Sequence, residues 1–343
     1  MENQKELRIF GTFGPTCHTR EDIGNMLDAG MNGIRLNLSH SSIREHEDWM
    51  EEWKAACENT HHDCELILDL QGRERRLSGD FEPIELEEGD LISIPAQLPL
   101  GGDVLLFLET GDQLLLGDDD VPLHVEEKSG DGFVAKAMSK GRIHPGMNIH
   151  ILGKDSDLPI VCARDLESLE RGKQIGATGV MVPFVQNASD LRQIRKVVEP
   201  LIENCRIYAK IETMEGVHHI HEIMEEADEI VIARGDLAAS CSMENLPAVQ
   251  TVLEEACKER GKPYMMVTQV LTSMEHAPLP TRAEVSDLFN AIVRGASSVM
   301  LTGETAKSEY PVEAMTMCAQ IAKQALEVKN HPERLKAYLD AQG

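Results

Sequence analysis

Three short stretches of this chain carry residues whose types and spacing suit chemistry on a small anion. Lys210-Ile211-Glu212 sets an ammonium and a carboxylate two positions apart, and in an extended backbone residues two apart share a face. Arg234-Gly235-Asp236 adds a second carboxylate beside a glycine. In Arg35-Leu36-Asn37-Leu38-Ser39, the residues Arg35, Asn37 and Ser39 share a face if the strand runs through all of them. Glu212 and Asp236 are hard oxygen ligands, and two carboxylates that leave other positions to water and substrate suit Mg²⁺ or Mn²⁺. Lys210 beside them is a compact charge for a developing enolate or a transferring phosphoryl group. Arg35 can hold phosphate, and Gly235 and Gly303 let backbone amides approach an anion. Each fragment alone has a plainer reading: an ion pair for Lys210 and Glu212, a turn for Arg-Gly-Asp. Their joint placement argues for a site.

Such residues need a frame that gathers them. Eight short apolar runs read as strands: ELRIFG (6–11), GIRLNLS (33–39), ELILDL (65–70), VMVPFV (180–185), RIYAKIE (206–212), EIVIARG (229–235), YMMVTQ (264–269) and SVMLTG (298–303). Helical patterns alternate with them, among them EDIGNMLDAG, IREHEDWMEEWKAA, GVHHIHEIMEEA and PVEAMTMCAQIAKQALE. Strand–helix alternation implies a parallel sheet, and eight units imply a closed α/β barrel of the (β/α)8 TIM type. In that fold the strands' C-terminal ends form the active site. Polar residues do close nearly every run: Asp69, Glu212, Asp236, Thr268-Gln269 and Thr302-Gly303-Glu304-Thr305. Between about 79 and 157 no convincing helix occurs, only short strand and turn patterns such as EGDLISIPA and GDGFVAKAM. The expected organisation is a barrel over 1–78 and 158–343, with a small β domain of 79–157 inserted after strand three. Its borders fall in SGD (78–80) and KDSD (154–157), which are polar and turn-like.

The net charge of -26 speaks against nucleic acid, which is bound by basic surfaces. No run of about 18 apolar residues and no signal-like N-terminus occurs, so no membrane span is expected. The eight cysteines show no C-x-x-C spacing, which points to reduced thiols and a cytoplasmic protein. His218, His219 and His221 read as a solvated helix face, and Asp118-Asp119-Asp120 as a turn. Trp49 and Trp53, four apart, read as packing, and Arg282 with Glu284 as an ion pair near the site. His40 reads equally as a nucleotide contact or a loop hydrogen bond.

The segments GTFGPTCHTREDIGNMLDAGMNGIRLNLSH, LILDLQGRE, AKIETMEGV, IVIARGDLA, VTQVLTSM, LPTRAEVSDLFNAI and VMLTGETAKSEYP resemble the pyruvate kinase family in order and spacing, over residues 6 to about 325. The resemblance implies that Glu212 and Asp236 hold the divalent metal and that Lys210 stabilises the phosphoryl group and the enolate. Arg35 and Arg76 would contact phosphate. Asn37, Ser39 and Asp69, with the carbonyl of Leu70, would form a monovalent-cation site, and Glu74 matches the glutamate of potassium-dependent members. Ala233, Gly235 and Thr268 would cradle the substrate carboxylate, with Thr268 on the side of proton delivery. The implied catalytic residues are thus Lys210, Thr268 and Arg35, and the implied cofactors Mg²⁺ (or Mn²⁺) and K⁺. The 79–157 insertion corresponds to the family's lid. The resemblance also implies a short form without the family's C-terminal regulatory domain, and leaves a homo-oligomer open.

The departures bear on the reaction. The usual D-T-K-G-P-E-I-R-T-G motif reads Asp69-Leu70-Gln71-Gly72-Arg73-Glu74-Arg75-Arg76-Leu77-Ser78. The lid's K-G-V-N-L-P-G stretch has its nearest match in His144–Gly153, with no lysine, although Lys140 is close. Ser-Phe-Ile-Arg is replaced by Pro183-Phe184-Val185-Gln186. These changes face the nucleotide side. The implied activity is phosphoryl transfer between phosphoenolpyruvate and ADP through a metal-bound enolpyruvate, a glycolytic reaction with ADP or ATP as the second small molecule. A diverged oxaloacetate decarboxylase or lyase that ignores ADP, and a non-catalytic oxyacid-binding protein, stay as alternatives.

Overall fold

The computed structural model describes residues 7–334 other than 40–41, 78, 118–120, 153 and 155–157. The proposed borders at 78 and 155–157, His40, Asp118-Asp119-Asp120 and the tail beyond 334 lie outside the described residues. The chain starts β1 (Arg8–Thr12), α1 (Arg20–Asp28), β2 (Gly33–Asn37), α2 (Glu47–Thr60) and β3 (Glu65–Asp69). Short elements follow: β4 (Ile84–Leu86), β5 (Leu91–Ile94), α3 (Gly102–Phe107), β6 (Gln113–Leu116), β7 (Val121–Ser129), β8 (Gly132–Ala137), β9 (Gly141–Ile143) and β10 (Ile149–Ile151). Alternation then resumes with α4 (Ala163–Ile175), β11 (Gly179–Val182), α5 (Ala188–Val198), β12 (Arg206–Ile211), α6 (Met214–His218), α7 (Ile220–Glu226) and β13 (Glu229–Ala233). It ends with α8 (Arg234–Cys241), α9 (Leu246–Glu259), β14 (Tyr264–Val267), α10 (Arg282–Arg294), β15 (Ser298–Met300), α11 (Gly303–Ala306) and α12 (Pro311–Asn330).

β1, β2, β3 and β11 to β15 close into one parallel barrel. Their near-continuous apolar runs suit strands covered on both faces. Phe10, Ile67, Met181, Tyr208, Val231, Met265 and Met300 fill the interior as a packed plug. Its N-terminal mouth is sealed by ion pairs of Arg8 with Glu65 and Glu229, and by the Tyr208 hydroxyl donating to Glu65. The cavity described below opens at the opposite, C-terminal mouth. Helix starts are fixed locally. The Thr19 hydroxyl accepts from the Asp22 amide, and the Asn187 side chain accepts from the amides of Ser189 and Asp190. Thr281 and Glu284 form a capping box, so Glu284 serves the start of α10 rather than a pair with Arg282.

Between β3 and β11 lies a five-stranded antiparallel sheet, ordered β10-β6-β7-β8-β5, with a β4–β9 pair beside it. It has its own apolar cluster, including Leu98, Leu114, Leu123, Val125 and Ile143. The expectation of no helix here is corrected by α3, a six-residue turn packed on this cluster through Val104. The sheet is tied to the barrel by backbone bonds along the loop after β3. The Leu77 amide donates to Met147, Gly146 to Leu77 and Ile149 to Arg75. Those bonds hold residues 144–150 over the C-terminal mouth. Among the described residues no helix is long and apolar enough to cross a membrane.

Candidate functional site

A cavity of about 980 Å³ opens at the C-terminal mouth. Its wall includes Arg35, Asn37, Ser39, Asp69, Glu74, Arg76, Lys210, Glu212, Gly235, Asp236 and Thr268 from the barrel side, with His144, Gly146 and Asn148 from the insertion. At the floor the Lys210 ammonium lies 2.9 Å from Glu212 and 3.6 Å from Asp69. Asp69 also accepts from Arg35 Nε at 2.7 Å, with Nη2 in ionic contact at 2.6 Å. Burial pulls the Lys210 pKa down, but the charges of Asp69 and Glu212 outweigh it, so the ammonium is held charged, above its ordinary value. Burial pushes Glu212 up to about 7, the Lys210 charge opposing and Asp236 adding. For Asp236, burial acts upward, but the hydrogen bond and charge of His150 prevail and leave it at about 2.

The two carboxylates come from adjacent strand units, but neither sits on a strand. β12 stops at Ile211, one residue before Glu212. β13 stops at Ala233, and Arg-Gly-Asp opens α8, so Asp236 lies in the first turn of a helix. An acidic side chain is favoured there by the unpaired amides and the helix dipole. β2 likewise ends at Asn37, whose Oδ1 accepts the Ser39 amide at 3.0 Å; Ser39 reaches the wall from a turn, not along a continuing strand. Ala233 and Leu70 are fully buried beneath the wall and do not line the cavity, so only their backbones could serve it.

Two backbone segments beside the carboxylates are held in the left-handed region. Thr268 and Gln269 have φ of 63° and 50°, and Phe184 has φ of 51°. Non-glycine residues pay for this conformation, and it persists where the surroundings impose it. The buried Arg234 guanidinium donates to the carbonyls of Thr268 and Gln269 at 2.9 and 2.8 Å and pairs with Asp287. The Thr268 hydroxyl thereby accepts the Gly235 amide at 3.0 Å. The Phe184 amide donates to Glu212 Oε2 at 2.7 Å. The loop after β3 is fixed by Asp165, which accepts from the amides of Gln71 and Gly72, and by the buried Arg73–Asp190 pair. It presents Glu74 and Arg76, joined at 2.7 Å, while Arg76 Nη1 donates to the Gly146 carbonyl of the insertion at 2.6 Å.

Several residues here carried no functional reading in the sequence. Arg234 was absorbed into an Arg-Gly-Asp turn. His150 lies in Ile149-His150-Ile151, whose isoleucines are buried in the insertion's cluster. Alternation along β10 points the imidazole the other way, toward the barrel, and that signal was readable. Trp49 packs on the core and also lines the cavity, with the His46 ring stacked on it at 3.8 Å and the His18 ring at 5.1 Å. Lys140 does not line the cavity; it pairs with Glu87 on the surface.

The donor set fits a cation. Asp69 Oδ1 is buried without a hydrogen-bond partner, and the buried Glu212 Oε1 is met only by the Lys210 ammonium at 2.9 Å. Buried anionic oxygens left this way favour a positive ion. Among the described residues no three His, Cys, Asp or Glu side chains converge as a metal cage. Glu212 and Asp236 both line the cavity, and two carboxylates with other positions left to substrate and water suit Mg²⁺.

Comparison with known proteins follows the same lines. The family model for "Pyruvate kinase, barrel domain" matches residues 4–315. A pyruvate kinase of Aeropyrum pernix is 34% identical over 337 residues, 96% of this chain and 73% of that enzyme. One from Bacillus licheniformis is 34% identical over 346 residues, 97% of this chain and 59% of its own length. Human pyruvate kinase PKLR is 32% identical over 339 residues, 92% of this chain and 59% of its own.

Proposed function

Because the chain belongs to the pyruvate kinase family, we propose that it moves the phosphoryl group between phosphoenolpyruvate and ADP in the cavity above the barrel. The observation that carries this reading is the charged Lys210 held among Asp69, Glu212 and Asp236, beside buried carboxylate oxygens with unmet demand. Glu212 and Asp236 would hold the divalent ion, which when bound supplies a Lewis acid for the substrate's oxygens. Asp69 Oδ1, with Asn37, Ser39 and the Leu70 carbonyl, would hold K⁺. Lys210 then presents a fixed positive charge to the phosphoryl group in flight and to the enolate left behind. Arg35 and Arg76, each braced by a carboxylate, orient phosphate. Gly235 and Thr268, bonded to each other, form the polar corner for the substrate carboxylate, and Thr268 is the group placed to hand a proton to the enolate carbon.

A cavity of about 980 Å³ exceeds the need of a three-carbon acid and leaves room for a nucleotide. The His46–Trp49 stack on its wall supplies a flat face for a base. The insertion would act as a lid, since residues 144–150 already cover the mouth. Eight free cysteines suit a cytosolic setting. A second reading is favoured by one observation: among the described residues, the insertion contributes His144 and Asn148 to the wall of this cavity, while its Lys154 lines only the smaller adjoining one. On that reading the same ion and Lys210 serve decarboxylation of oxaloacetate without ADP. A coupled pyruvate-release assay at fixed Mg²⁺ and K⁺ decides. Pyruvate from phosphoenolpyruvate that requires ADP is the expected result. Pyruvate from oxaloacetate with no response to ADP would replace the first reading by the second.

A further inference from the structure

Around the barrel, β3, β2, β1, β15 and β14 follow one another. Along this arc the cavity wall changes character. Arg76 reaches it from the loop after β3 and Arg35 from β2, and His46 and Trp49 follow β2. At the far end stand Lys307, just past α11, and Glu275, from a single turn after β14. Their ammonium and carboxylate meet at 3.3 Å, the Glu275 side chain 14% exposed and that of Lys307 69%. Shape holds Glu275 there as well as charge. Its carboxylate fills the space that Gly303 leaves open, where any side chain at 303 would collide with it. The turn beneath it is fixed: the Glu309 amide donates to the Glu275 carbonyl at 3.0 Å, and the Ser308 hydroxyl to the Met274 carbonyl at 2.7 Å. Without that carboxylate, Lys307 would be a second attractor for phosphate on the same wall, at the other end of the arc from Arg35 and Arg76. We propose that Glu275 is a specificity residue: by keeping Lys307 paired it closes the β14–β15 end of the cavity to phosphate, and so fixes which way round a nucleoside diphosphate lies. A phosphate drawn to Lys307 meets the like charge of Glu275 at close range, in a cavity wall that screens it less than bulk water does.

The inference rests on Arg35 and Arg76 being the phosphate contacts, so the experiment separates the two claims. Inorganic pyrophosphate alone is titrated into the full chain by calorimetry, for the wild type, Glu275→Gln, Glu275→Ala, Lys307→Met and Glu275→Gln/Lys307→Met. The wild type should take one pyrophosphate, at the Arg35 end. Glu275→Gln and Glu275→Ala should take a second, about tenfold tighter than any further uptake by the wild type. Lys307→Met should bind as the wild type does, and the double variant should return to one. Tryptophan fluorescence melting controls for folding across the series. In the pyruvate-release assay, excess ADP should inhibit Glu275→Gln and not the wild type, because ADP then also lodges backwards on Lys307. Four results would overturn the proposal while leaving Arg35 and Arg76 in their roles: a wild type that already takes two, a Glu275 variant that takes only one, a second pyrophosphate that survives Lys307→Met, or Glu275→Gln turnover with no inhibition by ADP. A loss of the wild-type pyrophosphate in Lys307→Met would do the same, since the lysine would then hold phosphate while paired. A wild type that takes none would instead sink the reading of Arg35 and Arg76, and this inference with it.

Discussion

At the scale of residues, the site turns on one ammonium among carboxylates, and removing it has a two-sided consequence. Lys210 contacts Glu212 and Asp69, and its charge opposes the upward push that burial gives Glu212. In Lys210→Met the transferring group loses its fixed partner, so phosphoryl transfer should fall by about 10²–10³ in kcat. The same change leaves the carboxylates less neutralised, so Mn²⁺ should bind as tightly as before or tighter. A coupled assay paired with Mn²⁺ titration checks both signs; a loss of both would mean the site had collapsed. Lys210, Glu212, Asp236 and Asp69 were legible because carboxylates and ammonium groups at the ends of apolar runs have few structural uses. Trp49 and Arg234 were not. A tryptophan four residues before a core tryptophan looks like packing, and an arginine in Arg-Gly-Asp looks like a turn, until the neighbouring strand's left-handed carbonyls are seen to need a donor.

Elements decide whether those residues meet. Strand cores were legible in the sequence, since RIYAKI and EIVIA are too apolar for anything but a strand covered on both faces. Where each strand stops was not, because stopping depends on partners distant in sequence. EIVIARG gives up its last two residues to α8, and GIRLNLS ends when Asn37 turns to accept the Ser39 amide. The pattern GVHHIHEIMEEA breaks into α6 and α7 at His219. The end of β14 shows what such a boundary is for. Thr268 and Gln269 keep their left-handed backbone because Arg234 spans both carbonyls in a fork that lysine cannot reproduce. Arg234→Lys should therefore lower kcat by about 100-fold through a misplaced Thr268. It should cost about 1.5–3 kcal/mol in urea unfolding, while Mn²⁺ affinity at Asp236 is largely kept. A variant with normal kcat would show that Thr268 needs no such holding.

Across the whole molecule, the barrel's apolar clusters and the insertion's own cluster divide the labour. The barrel's outer cluster and its interior plug shape the floor that carries the carboxylates, whereas the insertion's cluster shapes the cover. The barrel was readable from eight strand–helix units; the cover's fold was readable only as strand-rich, because strands of three to nine residues give too little pattern to fix their order. The division predicts separable losses. Leu123 is fully buried in the insertion, paired with Leu114 on one side and Ala137 on the other. Leu123→Ala should cost the insertion about 2–5 kcal/mol, seen as faster amide exchange across β6, β7 and β8. Trp49 and Trp53 both stand on α2 in the barrel, so the tryptophan fluorescence transition should hold its place. Binding of oxalate with Mn²⁺ at the floor should survive, and ADP-dependent turnover should fall, because the floor is built without the insertion and the covered cavity is not. Loss of oxalate binding in step with the insertion's exchange would instead make floor and cover a single cooperative unit.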